Sequence, residues 1–338
     1  LDDGRFTNTR TDERTPILVL DDLDFRHSSG SAYVRWRGEP VNRLRVDAAL
    51  RGDLLRYRAT DLLAADSTTQ HDAGILAPKL GVEVSVARPL ALHASVSRGF
   101  RGAPGVIYQT SAPPITAWAA EAGVTWRSPG LTAEASVFRY DVRNERIQDP
   151  ISLEISTAGS SVRQGLDLRV TAAPHPRVAL RGHATINDAT ITAPASFTPR
   201  DALLPRTARS LEPIVAFHDD GGLVPGARVP GVASYFGQVG ADVAVSGALQ
   251  ARATARFSGP FVPFREPSVE TDPYLLLDLG LSWAVPGSPL AIDLDVQNVT
   301  STVYPEVRAS GYLNAGAPVA LRLGMRLGAL VPAGGAAP

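Results

Sequence analysis

The sequence predicts an all-β chain whose antiparallel strands form a transmembrane β-barrel, and three observations lead there. First, short polar turns rich in Gly, Pro and Ser recur at about 39–42, 88–89, 128–130, 174–177, 246–248 and 286–289, and long irregular stretches lie between them at about 59–75, 99–116, 142–161, 190–230, 259–273 and 299–317. Tight and long connections therefore alternate, as in barrels with short turns on one side of a membrane and long loops on the other. Second, the segments between the connections alternate polar and apolar residues with the period of a strand. Third, Trp36, Trp126 and Trp283 each fall just ahead of a short turn, on the apolar parity of their segment.

The elements follow in chain order. Leu44, Val46, Ala48 and Leu50 oppose Arg43, Arg45, Asp47 and Arg51; Leu166, Leu168 and Val170 oppose Asp167, Arg169 and Thr171. Leu249, Ala251, Ala253, Ala255 and Phe257 oppose Gln250, Arg252, Thr254, Arg256 and Ser258, and Val319, Leu321, Leu323, Met325 and Leu327 oppose Arg322 and Arg326. A soluble sandwich would alternate in the same way but bury the apolar parity. Periodicity alone leaves both open. The tryptophans favour a membrane, because an indole has an apolar body and one N–H donor and settles at the lipid interface; the other reading is that they anchor a core at strand ends. Tyr140 and Tyr274, at the loop ends of their segments, are expected at the opposite rim.

Composition excludes several function classes. The 338 residues carry a net charge of −1, which gives no basic footprint for nucleic acid. Of the 33 basic residues only Lys79 is lysine, a bias to which no function is attached. With no cysteine there is neither disulfide nor thiolate chemistry. No apolar run approaches the roughly 20 residues of a spanning helix, so a membrane crossing has to be made by a closed sheet. The six histidines are scattered, neither G-x-S-x-G nor H-E-x-x-H occurs, and VPGARVPG at 224–231 lacks the Lys and the helix of a phosphate loop. No enzyme, cofactor or metal site is read from the sequence: His93 and His183 are wall residues, and His218-Asp219-Asp220 is a solvated turn. Leu1 opens directly on polar, strand-like sequence without a signal peptide, so further sequence is expected upstream, and the Ala, Gly and Pro residues of 329–338 are expected to form a loose tail.

From about residue 31 the chain resembles the C-terminal part of the barrel of TonB-dependent outer-membrane receptors. The resemblance rests on YVRWRGEPVNRLRVDAALRGD at 33–53, LAPKLGVEVSVARPLALHASVSRGFRGAP at 76–104, EAGVTWRSPGLTAEASVFRYDVRNERI at 121–147 with STAGSSVRQG at 156–165, and YLLLDLGLSW, DLDVQNVTSTVYPE and NAGAPVALRLGMRL within 274–327. It implies a bacterial outer-membrane barrel of the receptor type, with ~22 strands around an N-terminal plug, of which about 13 to 15 strands lie in residues 1–328. The implied partners are outer-membrane lipid, the chain's own plug, a TonB-type energy-transducing complex reached through that plug, and a scarce large nutrient, most often a ferric siderophore. The alternative is an ungated pore or a surface-binding barrel.

Two sets of residues then become candidates. Arg43, Arg45, Asp47, Arg163, Asp167, Arg169, Arg252, Arg256, Asp293, Asp295, Arg322 and Arg326 are expected on the lumen wall facing a plug, where any barrel interior has to be polar in any case. Tyr108, Gln109, Arg200, Arg206, Arg209, Phe217, His218, Tyr304 and Tyr312 are expected in the outward loops. There, guanidinium groups and aromatic rings would suit an anionic chelate through bidentate contacts and stacking.

Overall fold

The computed structural model describes residues 2–12, 15–63, 67–102, 113–148, 155–157, 159–193, 225–263, 270–307 and 313–328. Fourteen strands form one antiparallel sheet: β1 (Asp2–Asp12), β2 (Thr15–Val41), β3 (Leu44–Asp61), β4 (Ser67–Ala87), β5 (Leu90–Arg101), β6 (Ile115–Ser128), β7 (Leu131–Arg143), β10 (Ser160–His175), β11 (Val178–Ala193), β12 (Tyr235–Ala244), β13 (Leu249–Ser258), β14 (Tyr274–Ala284), β15 (Leu290–Gln297) and β18 (Ala320–Leu327). Two small hairpins, β8 (Arg146–Gln148) with β9 (Ile155–Thr157) and β16 (Pro305–Val307) with β17 (Leu313–Ala315), sit in the connections. Each strand of the large sheet pairs with its predecessor and successor in that sheet. The order is that of a meander, and among the described residues β1 and β18 are its two edges.

All six short turns fall where the sequence places them, between β2 and β3, β4 and β5, β6 and β7, β10 and β11, β12 and β13, and β14 and β15. One long connection is corrected. Most of 59–75, read as loop, continues β3 and β4, which pair in register from Leu44↔Val84 to Asp61↔Ser67. The β4–β5 ladder ends at Lys79↔Ser97. Pro78 stands at that point and has no N–H to donate; beyond it the Arg98 guanidinium donates instead to the Leu76 carbonyl at 3.3 Å. Strands β1 to β4 thereby continue as a ribbon above the body of the sheet.

The two faces of the sheet separate the soluble from the membrane reading. Cross-strand partners share a face, so the register places Val34, Trp36, Leu50, Leu80, Leu92, Val124 and Trp126 on one side, followed by Val137, Leu168, Leu180, Val239, Leu279 and Leu281 and, on the edge strand, Leu321, Leu323 and Met325. Most of these large apolar side chains are exposed, Leu323 by 70%. An apolar face continuous over the thirteen strands from β2 to β18 is far larger than the patches that water tolerates on a monomer. Lipid is the solvent that such a face fits. The opposite face carries the charges, and on it Thr125, Ser136 and Thr185 are buried although polar.

Buried apolar residues gather instead at the long-loop end of the polar face. Leu55, Tyr57 and Ile75 pack there with Ala73 and Phe100, and the His27 ring stacks on Tyr57 with centroids 4.7 Å apart. Ala189, Ile191 and Val229 form a second cluster with Ala227 and Val232.

Candidate functional site

The polar face is the surface that any solute or plug inside the barrel would meet. Most of its guanidinium groups are set against a carboxylate on the same strand, an adjacent strand or a connection. Asp47 accepts from Arg35 Nε at 2.8 Å and from Arg37 at 3.3 Å, while Arg45 reaches Glu83 at 3.4 Å. Arg252 donates to Asp242 at 2.8 Å, Arg256 to Asp278 at 2.9 Å and Arg326 to Asp293 at 2.6 Å. Arg163 pairs with Glu145, Arg169 lies 3.4 Å from Asp167, and the Thr185 hydroxyl donates to that same Asp167 at 2.9 Å. Arg322 stands opposite Asp295 in the β15–β18 register.

Of the predicted wall residues, all but one lie on this face. Arg43 is the exception: it occupies the β2–β3 turn with φ 69, at the short-turn rim. The strand-by-strand reading missed the partners Arg35, Arg37, Glu83, Glu145, Asp242 and Asp278. Each is paired across a ladder or from a connection, and one strand's alternation carries no information about its neighbour's register.

The aromatic residues are also rearranged. Trp36, Trp126 and Trp283 are exposed on the apolar face near the short turns, Trp283 by 44%. Tyr140 and Tyr274, expected at the opposite rim, lie on the polar face, because Tyr140 pairs with Ala119 and Tyr274 with Ser258. Trp118 takes that place on β6. It shares the parity of Trp126 and is 43% exposed, and eight residues of tilted strand separate the two indoles by about 20 Å in height, most of a barrel's apolar band. An aromatic pair of equal parity eight apart was the available signal.

The connections on the long-loop side are tied to the sheet where they are described. The 225–231 stretch folds back on β11: Gly226 N–H donates to Ile191 O at 2.8 Å, Ile191 N–H to Ala227 O at 2.8 Å and Val229 N–H to Ala189 O at 2.9 Å. Arg228 then reaches Glu270 at 2.8 Å, and Phe261 and Val262 are buried beneath.

The last connection is held by Asn298, which is 2% exposed and left-handed at φ 49. Its amide donates to the Thr302 and Ala317 carbonyls at 2.9 and 3.2 Å, and its side-chain oxygen accepts from Thr302 N–H at 2.9 Å. Asn in this conformation, followed by Thr at short range, is the local chemistry of an Asx turn.

Tyr304, expected among the ligand-contacting side chains, is corrected by its surroundings. It is 7% exposed, packs on Tyr274 with centroids 5.0 Å apart, donates to Glu306 at 3.2 Å and accepts from Ala317 N–H at 3.2 Å. Burial, reinforced by Glu306, pushes its phenol above the usual value. Its ring lies so close to Gly316 that a side chain there would meet it. Tyr108, Gln109, Arg200, Arg206, Arg209, Phe217, His218 and Tyr312, like the 329–338 tail, lie outside the described residues.

Comparison with protein families matches residues 2–299 to the family described as TonB dependent receptor-like, beta-barrel. The chain belongs to this family. Solved structures share the fold. The siderophore receptor PiuA from Acinetobacter baumannii superposes with a TM-score of 0.70 at 17% identity, over 90% of this chain and 43% of that one. The ferric citrate transporter FecA, unliganded, gives 0.70 at 13% identity, over 93% and 46%. The ferric yersiniabactin uptake receptor FyuA from Yersinia pestis gives 0.65 at 16%, over 95% and 47%. The chain therefore spans less than half the length of these TonB-dependent receptor structures. A search of curated proteins finds no significant match. The family is one of transport receptors.

Proposed function

We propose that this chain is the C-terminal part of the barrel of a bacterial outer-membrane receptor that takes up a ferric siderophore by TonB-coupled transport. The observation that carries the reading is the pairing of an exposed apolar outer face with a charged inner wall most of whose arginines are already matched to carboxylates. Such a wall offers hydrogen-bonding groups to a polar plug without a net field of either sign. In lipid every backbone polar group needs a partner, so the edges of β18 and of the lower part of β2, which β1 does not cover, are proposed to pair with further strands that close the sheet. Those strands and an N-terminal plug, which the energy-transducing complex would pull, complete the proposed receptor. The solved neighbours named for ferric siderophores support the ligand class.

Within that reading, ligand meets the outward loops first. Tyr108, Gln109, Arg200, Arg206, Arg209, Phe217, His218 and Tyr312 remain the proposed contacts, with the arginines binding an anionic chelate. The test is uptake of radiolabelled ferric siderophores by cells that carry the full-length protein as their only such receptor, with and without TonB. TonB-dependent accumulation is expected. Accumulation that persists without TonB would replace active transport by an ungated pore. Substituting Arg200, Arg206 and Arg209 together is expected to weaken uptake, and unchanged uptake would remove that loop.

A further inference from the structure

One group of titratable side chains on the polar face stands apart from the arginine–carboxylate pairs. His93 on β5, Glu121 on β6 and Glu134 on β7 bring one imidazole nitrogen and two carboxylate oxygens within 4.8 Å of one another. His93 Nε2 lies 3.7 Å from Glu121 Oε1.

The register explains how three strands meet at one point. His93 is directly opposite Gly123, and Gly123 is opposite Ser136; Glu121 lies two residues from Gly123 and Glu134 two residues from Ser136, in opposite senses along the sheet. Both carboxylates therefore reach inwards toward the same imidazole. Room for that ring comes from Gly123, where a Cβ would stand 2.6 Å from His93 Nε2.

The electrostatic surroundings separate this group from its neighbours. Glu83, opposite His93 in the β4–β5 register, is taken up by Arg45, and Arg169, opposite Glu134, is turned to Asp167. Among the described residues neither Glu121 nor Glu134 has an arginine or lysine at ion-pair distance. Two carboxylates and a histidine are thus left facing each other on a wall where other acids have a guanidinium.

We propose that His93, Glu121 and Glu134 bind one divalent first-row transition ion of the Zn²⁺ class. The imidazole selects against Mg²⁺ and Ca²⁺, which prefer all-oxygen sites, and the single nitrogen with two oxygens suits a borderline ion. Tetrahedral bonds of about 2.1 Å set ligand atoms about 3.4 Å apart, so small side-chain rotations close the present spacing. With three protein ligands the remaining coordination position opens to the lumen. The site lies close to the short-turn rim, since His93 is the fourth residue of β5. It rests on the wall geometry alone and not on the siderophore reading.

The test is titration of the full-length protein in detergent with Zn²⁺ by calorimetry and with Co²⁺ by visible absorption. One equivalent is expected to bind, saturating below roughly 100 µM. Glu121→Gln and Glu134→Gln, which keep side-chain shape, and His93→Asn are each expected to weaken binding at least about tenfold. His183→Asn, on the same face but outside the group, is expected to leave it unchanged. Heat-modifiable mobility on gels reports that each variant is folded, and His93→Gln replaces His93→Asn if the latter is not. Absence of saturable binding, or equal affinity in the three variants and the parent, would overturn the site.

Discussion

Strands β2 to β4 and strands β13 to β15 cross the same apolar layer, yet β2 and β4 have 27 and 21 residues where β13 and β15 have 10 and 8. A tilted strand needs about 9–11 residues to cross a membrane. The later strands therefore do little more than span, and the earlier ones continue well beyond. The change of solvent can be followed on β3. Its outward residues are apolar from Leu44 to Leu54 and then become Arg56 and Arg58, while on β4 the apolar outward run ends at Gly74 and Asp72 follows. Arg56 and Asp72 are joined there by two hydrogen bonds, at 2.9 and 3.1 Å. Lipid holds the shorter region in place by its outer face, whereas the ribbon depends on its own contacts, chiefly Tyr57 with His27, Leu55 and Ile75. One sheet is thus stabilised by two different means along its height.

The largest expected effect comes from placing a charge in each region. Leu279→Arg, at the middle of the outer face of β14, is expected to destabilise the protein in lipid by about 2–4 kcal/mol. Thr60→Arg, on the same face but high on the ribbon, is expected to change stability by no more than about 0.5 kcal/mol. Denaturant unfolding from vesicles measures both, and similar costs at the two positions would abolish the distinction.

Much of the shorter region was legible in the sequence, and the ribbon was not. Leu249 to Ser258 alternates without a break because lipid and the wet lumen impose opposite demands on its two faces. Above the membrane RYRATD alternates only through Tyr57 and Ala59, whose side chains are buried, Tyr57 in the ribbon's own small cluster, and STTQHD is polar on both parities, so the two read as loop although they pair residue for residue. The wall charges could be assigned from parity alone. The His93, Glu121 and Glu134 group could not, since it needs three strands in register. Tyr304 falls among the ligand-contacting loop candidates in the sequence because burial inside a long connection leaves no periodic trace.

The ribbon's own cluster provides the next effect. Tyr57→Ala removes the His27 stack and the contacts to Leu55 and Ile75, a local loss of about 3 kcal/mol on the scale of buried aromatic truncations. Limited proteolysis of intact cells is expected to cut the ribbon while the folded barrel remains in the membrane. A variant as protease-resistant as the parent would show that the cluster does not hold the ribbon.

In the shorter region the corresponding anchor is polar. Asn298→Ala leaves the Thr302 and Ala317 carbonyls without their side-chain donor in a buried site and is expected to cost about 2 kcal/mol. Tyr304→Phe removes a hydroxyl bonded to Glu306 and Ala317 and is expected to cost about 1 kcal/mol. Thermal unfolding in detergent checks the order of the two. The raised phenol gives the sign with pH: the stability that Tyr304 adds is full below the ordinary tyrosine range and is lost as pH rises through the higher folded value.

The smallest effect concerns the wall, where the shorter region looks most strongly bonded. Asp242 accepts from Arg252 at 2.8 Å and is also paired with Arg181, but the Arg252 side chain is 62% exposed and the Asp242 side chain 29%. Water in the lumen offers both ions nearly the solvation they give up by pairing, so the geometry exceeds the energy. A double-mutant cycle with Arg252→Gln and Asp242→Asn is expected to return at most about 1 kcal/mol of coupling, falling as salt is raised. A coupling well above that and indifferent to salt would mean that the wall is shielded from water, and that the shorter region, like the ribbon, is held by buried contacts of its own.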